Sequence, residues 1–442
     1  MGANETARAI EAAEKAYPEW SGKLPEERAD ILMRWHDLML THKEDLATLM
    51  TLEQGKPLDD ARGEINYAAS FIKWFAAEAT RTYGDYIPSH LPNRHLVVKR
   101  EAIGVTAAIT PWNFPSAMIT RKAAAALAVG CPMVVRPATE TPYSALALAE
   151  LADLAGFPKG VFSVITGSAR DIAGELTAND AVRAISFTGS TEVGRILLAQ
   201  GAKTVKKMSM ELGGHAPFIG FPDVGVDALV KGAIDAKFQT SGQDCLAANR
   251  IFIHRSVYAE FCEEFAKAAS ALKVGDGFKK GVEQGPLMNE KAIAKCEEHV
   301  ADAVKKGAKL LAGGKIHAAG SLFFEPTVLK DCTEDMAVFR EETFGPVAAV
   351  FPFDNEDEVL SQANDTIYGL AAYVYTNDMP RMWKFSDALE YGMVAVNCVK
   401  MTGGPIPFGG HKQSGLGREG SRHGIDEYSE LKYICMNTAV TK

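Results

Sequence analysis

Short β-rich runs alternating with helix-like ones predict an α/β protein: a doubly wound parallel sheet, a second α/β unit and a small β arm. Three observations carry this. Residues 1–82 are helical in pattern throughout; strand and helix alternate from GVTAAITPWNFP onward; and the alternation restarts after MELGGHAPFIG.

The opening segments ETARAIEAAEKAYPEW, PEERADILMRWHDLMLTHKEDLATLMTLEQG and DDARGEINYAASFIKWFAAEATRTYG place apolar residues at helical spacing and form an α-helical shell. TYGDYIPSHLPNRHLVVKREAIG follows, where Pro and polar residues punctuate alternating apolar positions as in a hairpin, a candidate oligomerisation arm. The runs VTAAIT, RKAAAALAVG, PMVVRP, SALALAELADLAG, FSVITG, RAISFTG and TEVGRILLAQGA then alternate strand and helix. A doubly wound sheet of this kind binds nucleotides at the carboxyl ends of its strands. The second unit has helices at DALVKGAIDAKFQTSG, VYAEFCEEFAKAASAL and DEVLSQANDT and strands at NRIFIH and AAVFPF. DEYSELKYICMNTAVT contains a strand suited to pair with the hairpin. The expected divisions are 1–82, 104–214 and 407–426 for the doubly wound unit, 215–406 for the second unit, and 83–103 with 427–442 for the arm.

At 442 residues the chain exceeds one ordinary core, and 47% hydrophobic residues suffice for two or three. The net charge of −9 is mild and Lys and Arg are scattered, which argues against nucleic acid as a partner. No apolar run reaches the ~18 to 20 residues that cross a bilayer, and MGANETARAI lacks a signal-peptide pattern, so a cytoplasmic protein is expected. The seven cysteines show no CxxC, which points to reduced thiols and away from disulfides or a metal site.

Cys245 lies in FQTSGQDCLAANR, after a helix and before a strand. A thiolate there is a soft nucleophile able to form a reversible tetrahedral adduct with a carbonyl, though most free cysteines are simply buried. Glu211 precedes Gly213 and Gly214, whose lack of side chains lets the backbone approach closely; the carboxylate is a candidate base, or else a solvated turn residue. Asn113, in ITPWNFP between Pro111 and Pro115, could donate its amide to an oxyanion or merely satisfy a turn. GLGREG matches the dinucleotide fingerprint letter for letter, but HKQS rather than a hydrophobic strand precedes it, so it is a Gly-rich structural loop.

Taken together and in order, ITPWNFP, SFTGSTEVGR, MELGG, SGQDC, EETFGP and PFGGHKQSGLGREG resemble the aldehyde dehydrogenase superfamily over nearly the whole chain. TLEQGKP, SALALAELA and GREGSRHGIDEYSELKY are similar to its succinate-semialdehyde dehydrogenase branch. The resemblance implies that Cys245 attacks a small aldehyde, that Asn113 and the Cys245 backbone N–H hold the oxyanion while hydride leaves for NAD or NADP, and that Glu211 activates the deacylating water. It implies cofactor contacts from Thr110, Pro111, Trp112, Arg136, Thr139, Gly189, Ser190, Val193, Leu212, Glu342 and Phe344, and substrate contacts from Arg121, Gln239, Thr402 and Phe408. It also implies a homodimer or homotetramer.

The departures from the family pattern are specific. Arg136, Pro137 and Ala138 stand where Lys-Pro-Ala is usual, and Thr139 stands where NAD-preferring relatives often carry Glu, with Glu140 adjacent. Gln239 replaces a second substrate arginine, and Thr402-Gly403 replace serines, so the carboxylate clamp around Arg121 is incomplete. His215 replaces Asn after ELGG, and Ala247 replaces a second cysteine, which excludes a neighbouring-thiol switch. The chain starts late relative to the family pattern, which leaves the doubly wound unit one edge segment short. Succinate semialdehyde is the first expectation for substrate, a sulfonated, phosphonylated or hydroxylated aldehyde the second. A catalytically silent binding protein is the reading from another class.

Overall fold

A computed structural model describes residues 1–438; the last four positions of the expected arm, 439–442, lie outside the described residues. The opening pattern forms helices α1 (Ala3–Gly22), α2 (Pro25–Thr41), α3 (Lys43–Gln54) and α4 (Leu58–Ala79). The sequence reads α2 and α3 as one helix, but the backbone breaks at His42 (φ −97°, ψ 22°), where the Thr41 hydroxyl turns back onto the Asp37 carbonyl and Glu44 and Asp45 start a new, acid-rich first turn. Pro25 starts α2 and Gly55, at φ 85°, ends α3. Ile65, Ala68, Ile72, Phe75, Ala76 and Ala79 form the buried stripe of α4.

The hairpin is β1 (Asp85–Ile87) and β2 (Arg94–Ala102). The doubly wound unit runs β3 (Val105–Ile109), α5 (Ala117–Val129), β4 (Met133–Arg136), α6 (Pro142–Ala155), β5 (Phe162–Val164), α7 (Ala169–Ala178), β6 (Val182–Thr188), α8 (Thr191–Gly201) and β7 (Lys207–Glu211). The second unit runs β8 (Ala216–Gly220), α9 (Val226–Lys237), β9 (Ala248–His254), α10 (Arg255–Ala271), α11 (Glu290–Lys305), β10 (Lys309–Ala312), β11 (Thr327–Lys330), α12 (Ala337–Arg340), β12 (Val347–Phe353), α13 (Glu356–Asn364), β13 (Ala371–Tyr375), α14 (Met379–Ala388) and β14 (Met393–Val396). The chain closes with β15 (Gly415–Leu416) and β16 (Ser429–Asn437).

The first sheet has the order β15-β7-β6-β3-β4-β5, parallel except for β15. From β3 the chain winds outward through β4 and β5, then crosses back to β6 and β7, so a topological switch point lies between β3 and β6. That is where such sheets open a crevice for ligands. The second sheet, β10-β11-β12-β9-β8-β13-β14, is parallel except for β10. β2 and β16 pair antiparallel from Ser429↔Ala102 to Asn437↔Arg94, so hairpin and C-terminal strand form one three-stranded sheet.

The central strands of both main sheets are buried apolar runs rather than alternating ones, because helices cover both faces. α5 is buried on every side and yet contains Arg121 and Lys122. No helix among the described residues is long and apolar enough to cross a membrane.

Candidate active site

Five loops meet in the cleft between the two sheets, each at a strand end. ITPWNFP and FTGS follow the carboxyl ends of β3 and β6, and Glu211 is the last residue of β7. ELGG, SGQDC and EETFGP precede the amino ends of β8, β9 and β12. The turn between β7 and β8 therefore crosses from one sheet to the other in four residues, Leu212 to His215. Gly213 and Gly214 are required there: a Cβ on Gly214 would collide with the Cys245 carbonyl, and one on Gly213 would meet Glu342 Oε2 at 2.9 Å.

Cys245 is half-buried after an unusual coil in which Thr240, Ser241 and Gly242 all have positive φ (50°, 56° and 70°). Left-handed backbone in two non-glycine residues is strain that the surroundings hold in place, here through the Ser241 hydroxyl donating to the Gly285 carbonyl at 3.0 Å. Burial, and then the adjacent Asp244 carboxyl, push the thiol well above its ordinary pKa, with Arg121 opposing.

Asn113 is buried, and its Nδ2 donates to the Gln243 carbonyl at 3.1 Å while Oδ1 has no partner. Gln243, two residues before the thiol, ties the amide to the nucleophile's loop. Glu211 is buried with both carboxylate oxygens unpartnered. Burial and then the nearby Glu419 raise its pKa well above the carboxylate range, while Arg121 and Lys122 pull it down. Glu419 itself is held below its ordinary value: burial alone would raise it, but it forms ion pairs with Arg121 and Lys122.

Glu419 belongs to GLGREG, so the loop that mimics a nucleotide fingerprint instead carries a buried counter-ion. The same segment places Glu211. β15 pairs antiparallel with β7, Gly415 opposite Glu211, and Ser414 receives the Leu212 N–H at 2.8 Å and donates its hydroxyl to the Gly213 carbonyl at 2.6 Å.

Arg121, expected in contact with substrate, is buried on α5 with its guanidinium 4.0 Å from the Phe408 ring centroid. Beyond the ion pair with Glu419, its Nη1 and Nη2 have no hydrogen-bond partner. Thr402 is half-buried and faces the Tyr67 hydroxyl, whereas Gln239 is exposed.

Of the residues expected to contact a cofactor, Thr110, Pro111, Trp112, Gly189 and Ser190 lie at the switch point, after β3 and β6. Thr110 is buried with its hydroxyl unpartnered, and its N–H donates to the Arg136 carbonyl at 3.1 Å. Pro111 and Trp112 are half-buried, and the Trp112 and Phe344 rings meet edge-on at 5.6 Å. Arg136 donates from Nη2 to the Thr139 hydroxyl at 2.8 Å, leaving a buried, unpartnered Nε. Beside half-buried Gly189, Ser190 caps α8 by accepting the Val193 N–H at 3.4 Å, and that helix start is a ready site for phosphate. Val193 is exposed, and Leu212 is buried against Gly194. Glu342 accepts the Gly214 N–H at 3.0 Å, and burial lifts its pKa to about 7. Phe344 sits at φ 55°, another strained residue at the site. These unpartnered polar groups, small residues and the helix start fit a nicotinamide dinucleotide.

His215, the departure after ELGG, is buried, with Nε2 2.8 Å from the Phe339 carbonyl and Nδ1 unpartnered. On the other side His299 Nδ1 lies 3.0 Å from the Thr343 hydroxyl, so two buried histidines flank the segment that carries Glu342. Burial lowers the pKa of both and keeps them neutral. Glu419, Lys122, Gln243 and His299 escape the residue-by-residue reading. The first lies in a motif discounted as structural, and nothing local in the sequence marks the others.

The aldehyde dehydrogenase family model matches residues 1–434. A succinate-semialdehyde dehydrogenase [NADP(+)] of Escherichia coli is 56% identical over 99% of this chain and 90% of its own length. A 3-sulfolactaldehyde dehydrogenase of Pseudomonas putida is likewise 56% identical, with the same coverage of both chains. The crystal structure of succinate-semialdehyde dehydrogenase from Burkholderia pseudomallei superposes with a TM-score of 0.98 at 56% identity, covering 99% of this chain and 91% of that one. With such likeness from end to end, this chain belongs to the aldehyde dehydrogenase family, whose members are NAD(P)-dependent oxidoreductases acting on aldehydes.

Proposed function

We propose that the protein oxidises a small aldehyde with an anionic far end, succinate semialdehyde first, to the carboxylate with NADP. The observation that carries the anionic end is Arg121, a buried guanidinium whose two terminal nitrogens lack partners beside Phe408 and Tyr67. A buried donor left unpaired costs free energy unless a ligand satisfies it, and a planar fork suits a carboxylate. A sulfonated aldehyde is the second reading. The exposed Gln239, in place of a second arginine, leaves room for a different anion, and the relative from Pseudomonas putida supports it.

Glu211 takes the Cys245 thiol proton and releases it to solvent as Sγ adds to the carbonyl carbon, and the new alkoxide is held by Asn113 Nδ2–H and the Cys245 N–H. The nicotinamide ring, when bound, accepts the hydride. Glu211 then takes a proton from the water that attacks the thioester, and the carboxylic acid leaves as the thiol re-forms. Glu342 and Phe344 would hold the nicotinamide end, Ser190 and the start of α8 the pyrophosphate, and Arg136 with Thr139 the adenosine ribose. Thr139 presents no negative charge to a 2′-phosphate, and the unpartnered Arg136 Nε offers it a donor. The seven free cysteines suit a reducing compartment such as the cytoplasm. The arm, with Leu431, Tyr433 and Met436 exposed along β16, suits a dimer or tetramer.

Formation of reduced cofactor, followed with NAD and NADP against succinate semialdehyde, 3-sulfolactaldehyde and butanal, tests this. Selective turnover of one anionic aldehyde with NADP is expected, abolished by Cys245→Ala. Arg121→Met should raise KM for that substrate on the order of tenfold or more while KM for butanal changes little, and any fall in kcat from the lost charge beside Cys245, Glu211 and Glu419 should be shared by both substrates. Equal turnover of butanal and the anionic aldehydes would remove the substrate assignment.

A further inference from the structure

The motif TLEQGKP and helix α4 contribute two buried charges that the chemistry above does not use, and both converge on the loop of Asn113. Lys56 and Glu64 are 2% and 3% exposed. Lys56 Nζ donates to Glu64 Oε2 at 2.6 Å and to the Asn113 carbonyl at 2.7 Å, and lies 4.3 Å from the Phe114 ring centroid. The other carboxylate oxygen, Oε1, accepts the N–H groups of Ser116 and Ala117 at 2.9 and 3.2 Å, at the start of α5. One ion pair thus grips the chain at Asn113 and again three and four residues later.

The turn that carries Lys56 is itself anchored to the nucleophile's side of the cleft. The Lys56 N–H donates to Gln54 Oε1 at 2.8 Å. Gly55 packs so closely on the Pro286 ring that a Cβ would overlap it, and a Cβ on Gly285 would overlap the Gly55 carbonyl. The Pro286 carbonyl accepts from Gln243 Nε2 at 3.2 Å, and the Gln243 carbonyl receives the Asn113 amide. The loop therefore closes from Lys56 through Pro286 and then Gln243, which is two residues from Cys245, back to Asn113. A buried ion pair is seldom more stabilising than well-packed apolar residues in its place, so its worth lies in the geometry it imposes.

We propose that the Lys56–Glu64 pair is a positioning device for the oxyanion site, fixing the Asn113 amide relative to Cys245 and acting through Asn113 alone. This rests on the reading of Asn113 as the oxyanion donor. The test is a double-mutant cycle on the full-length enzyme with the preferred aldehyde and cofactor. Lys56→Met should lower kcat about tenfold or more with KM for both substrates changed less than about threefold, because a misplaced donor is lost in the transition state rather than in binding. Asn113→Ala should lower kcat on the order of a hundredfold. In that background Lys56→Met should cost less than about threefold further, since residues acting as a unit are not additive.

Equal fold-losses in both backgrounds overturn the proposal, because a merely structural pair weakens the enzyme whether or not Asn113 is present. An undiminished kcat in Asn113→Ala overturns the oxyanion reading instead, and the proposal with it. Should Lys56→Met fail to fold, Glu64→Gln enters the same cycle: it keeps an acceptor for Ser116 and Ala117 but removes the charge that holds the ammonium, and the same non-additivity is expected.

Discussion

Both carboxylate oxygens of Glu211 are buried without a hydrogen-bond partner, and Glu419 adds a like charge nearby. The folded-state pKa is raised, so between the unfolded value and the folded one the native protein binds more protons than the unfolded chain. Stability attributable to this group therefore falls as pH rises through that window. Glu211→Gln should abolish turnover and raise the thermal midpoint progressively as pH rises, because the amide keeps the side chain's shape but carries no charge to bury. A thermal midpoint unchanged by Glu211→Gln across pH 5 to 8 would argue that the carboxylate is solvated. The base must be ionised to act, so kcat should fall as the medium becomes more acidic, with an apparent pKa above that of an ordinary carboxylate. Glu419→Gln removes the repulsion and leaves Arg121 and Lys122 to act on Glu211, so the acid limb of the profile should move to lower pH. A shift the other way would show that Glu419 does not act on Glu211 by its charge. Cys245, Glu211 and Asn113 are legible as candidates from their motifs, but the raised pKa values of Cys245 and Glu211 are not, because burial causes them first and Glu419 and Arg121, far away along the chain, modulate them.

At the scale of elements, the two-residue strand β15 shows why a sequence pattern can mislead. GLGREG has the spacing of a nucleotide loop, yet its first glycine, at φ 145°, lies where a Cβ would overlap the Met210 carbonyl, and its role is to let β15 pair with β7. Gly415→Val should cost about 2–4 kcal/mol and lower kcat by displacing Glu211, while dinucleotide affinity measured by fluorescence titration stays near that of the unsubstituted enzyme. A selective loss of cofactor binding would instead restore the fingerprint reading. The opening helices were legible because 3.6-residue periodicity is a local property. The break at His42 was not, because apolar spacing continues across it and only the turn geometry reveals it.

At the scale of the molecule, the active site exists because two parallel sheets face each other across a cleft, carboxyl ends of one toward amino ends of the other, with β7 running into β8 through two glycines. The arm is assembled from segments more than three hundred residues apart in sequence, Arg94–Ala102 and Ser429–Asn437, and β16 leaves Leu431, Tyr433 and Met436 on an open edge. Long apolar edge strands invite pairing, so Leu431→Asp with Tyr433→Asp should reduce the mass in solution measured by light scattering. A single-chain mass for the unsubstituted enzyme would remove the oligomerisation role. The sequence by itself determined the α/β class, the strand–helix alternation of the doubly wound unit and the family, since these follow from local periodicity and from motifs whose residues are contiguous; the second unit was legible only in part, with α11, β10, β11, β13, α14 and β14 unmarked. Only the tertiary structure decided which charges meet. Lys56 with Glu64 and Asn113, Arg121 and Lys122 with Glu419, and Gln243 with Asn113 are contacts between distant segments, and no local pattern encodes the distance at which a buried charge finds its partner.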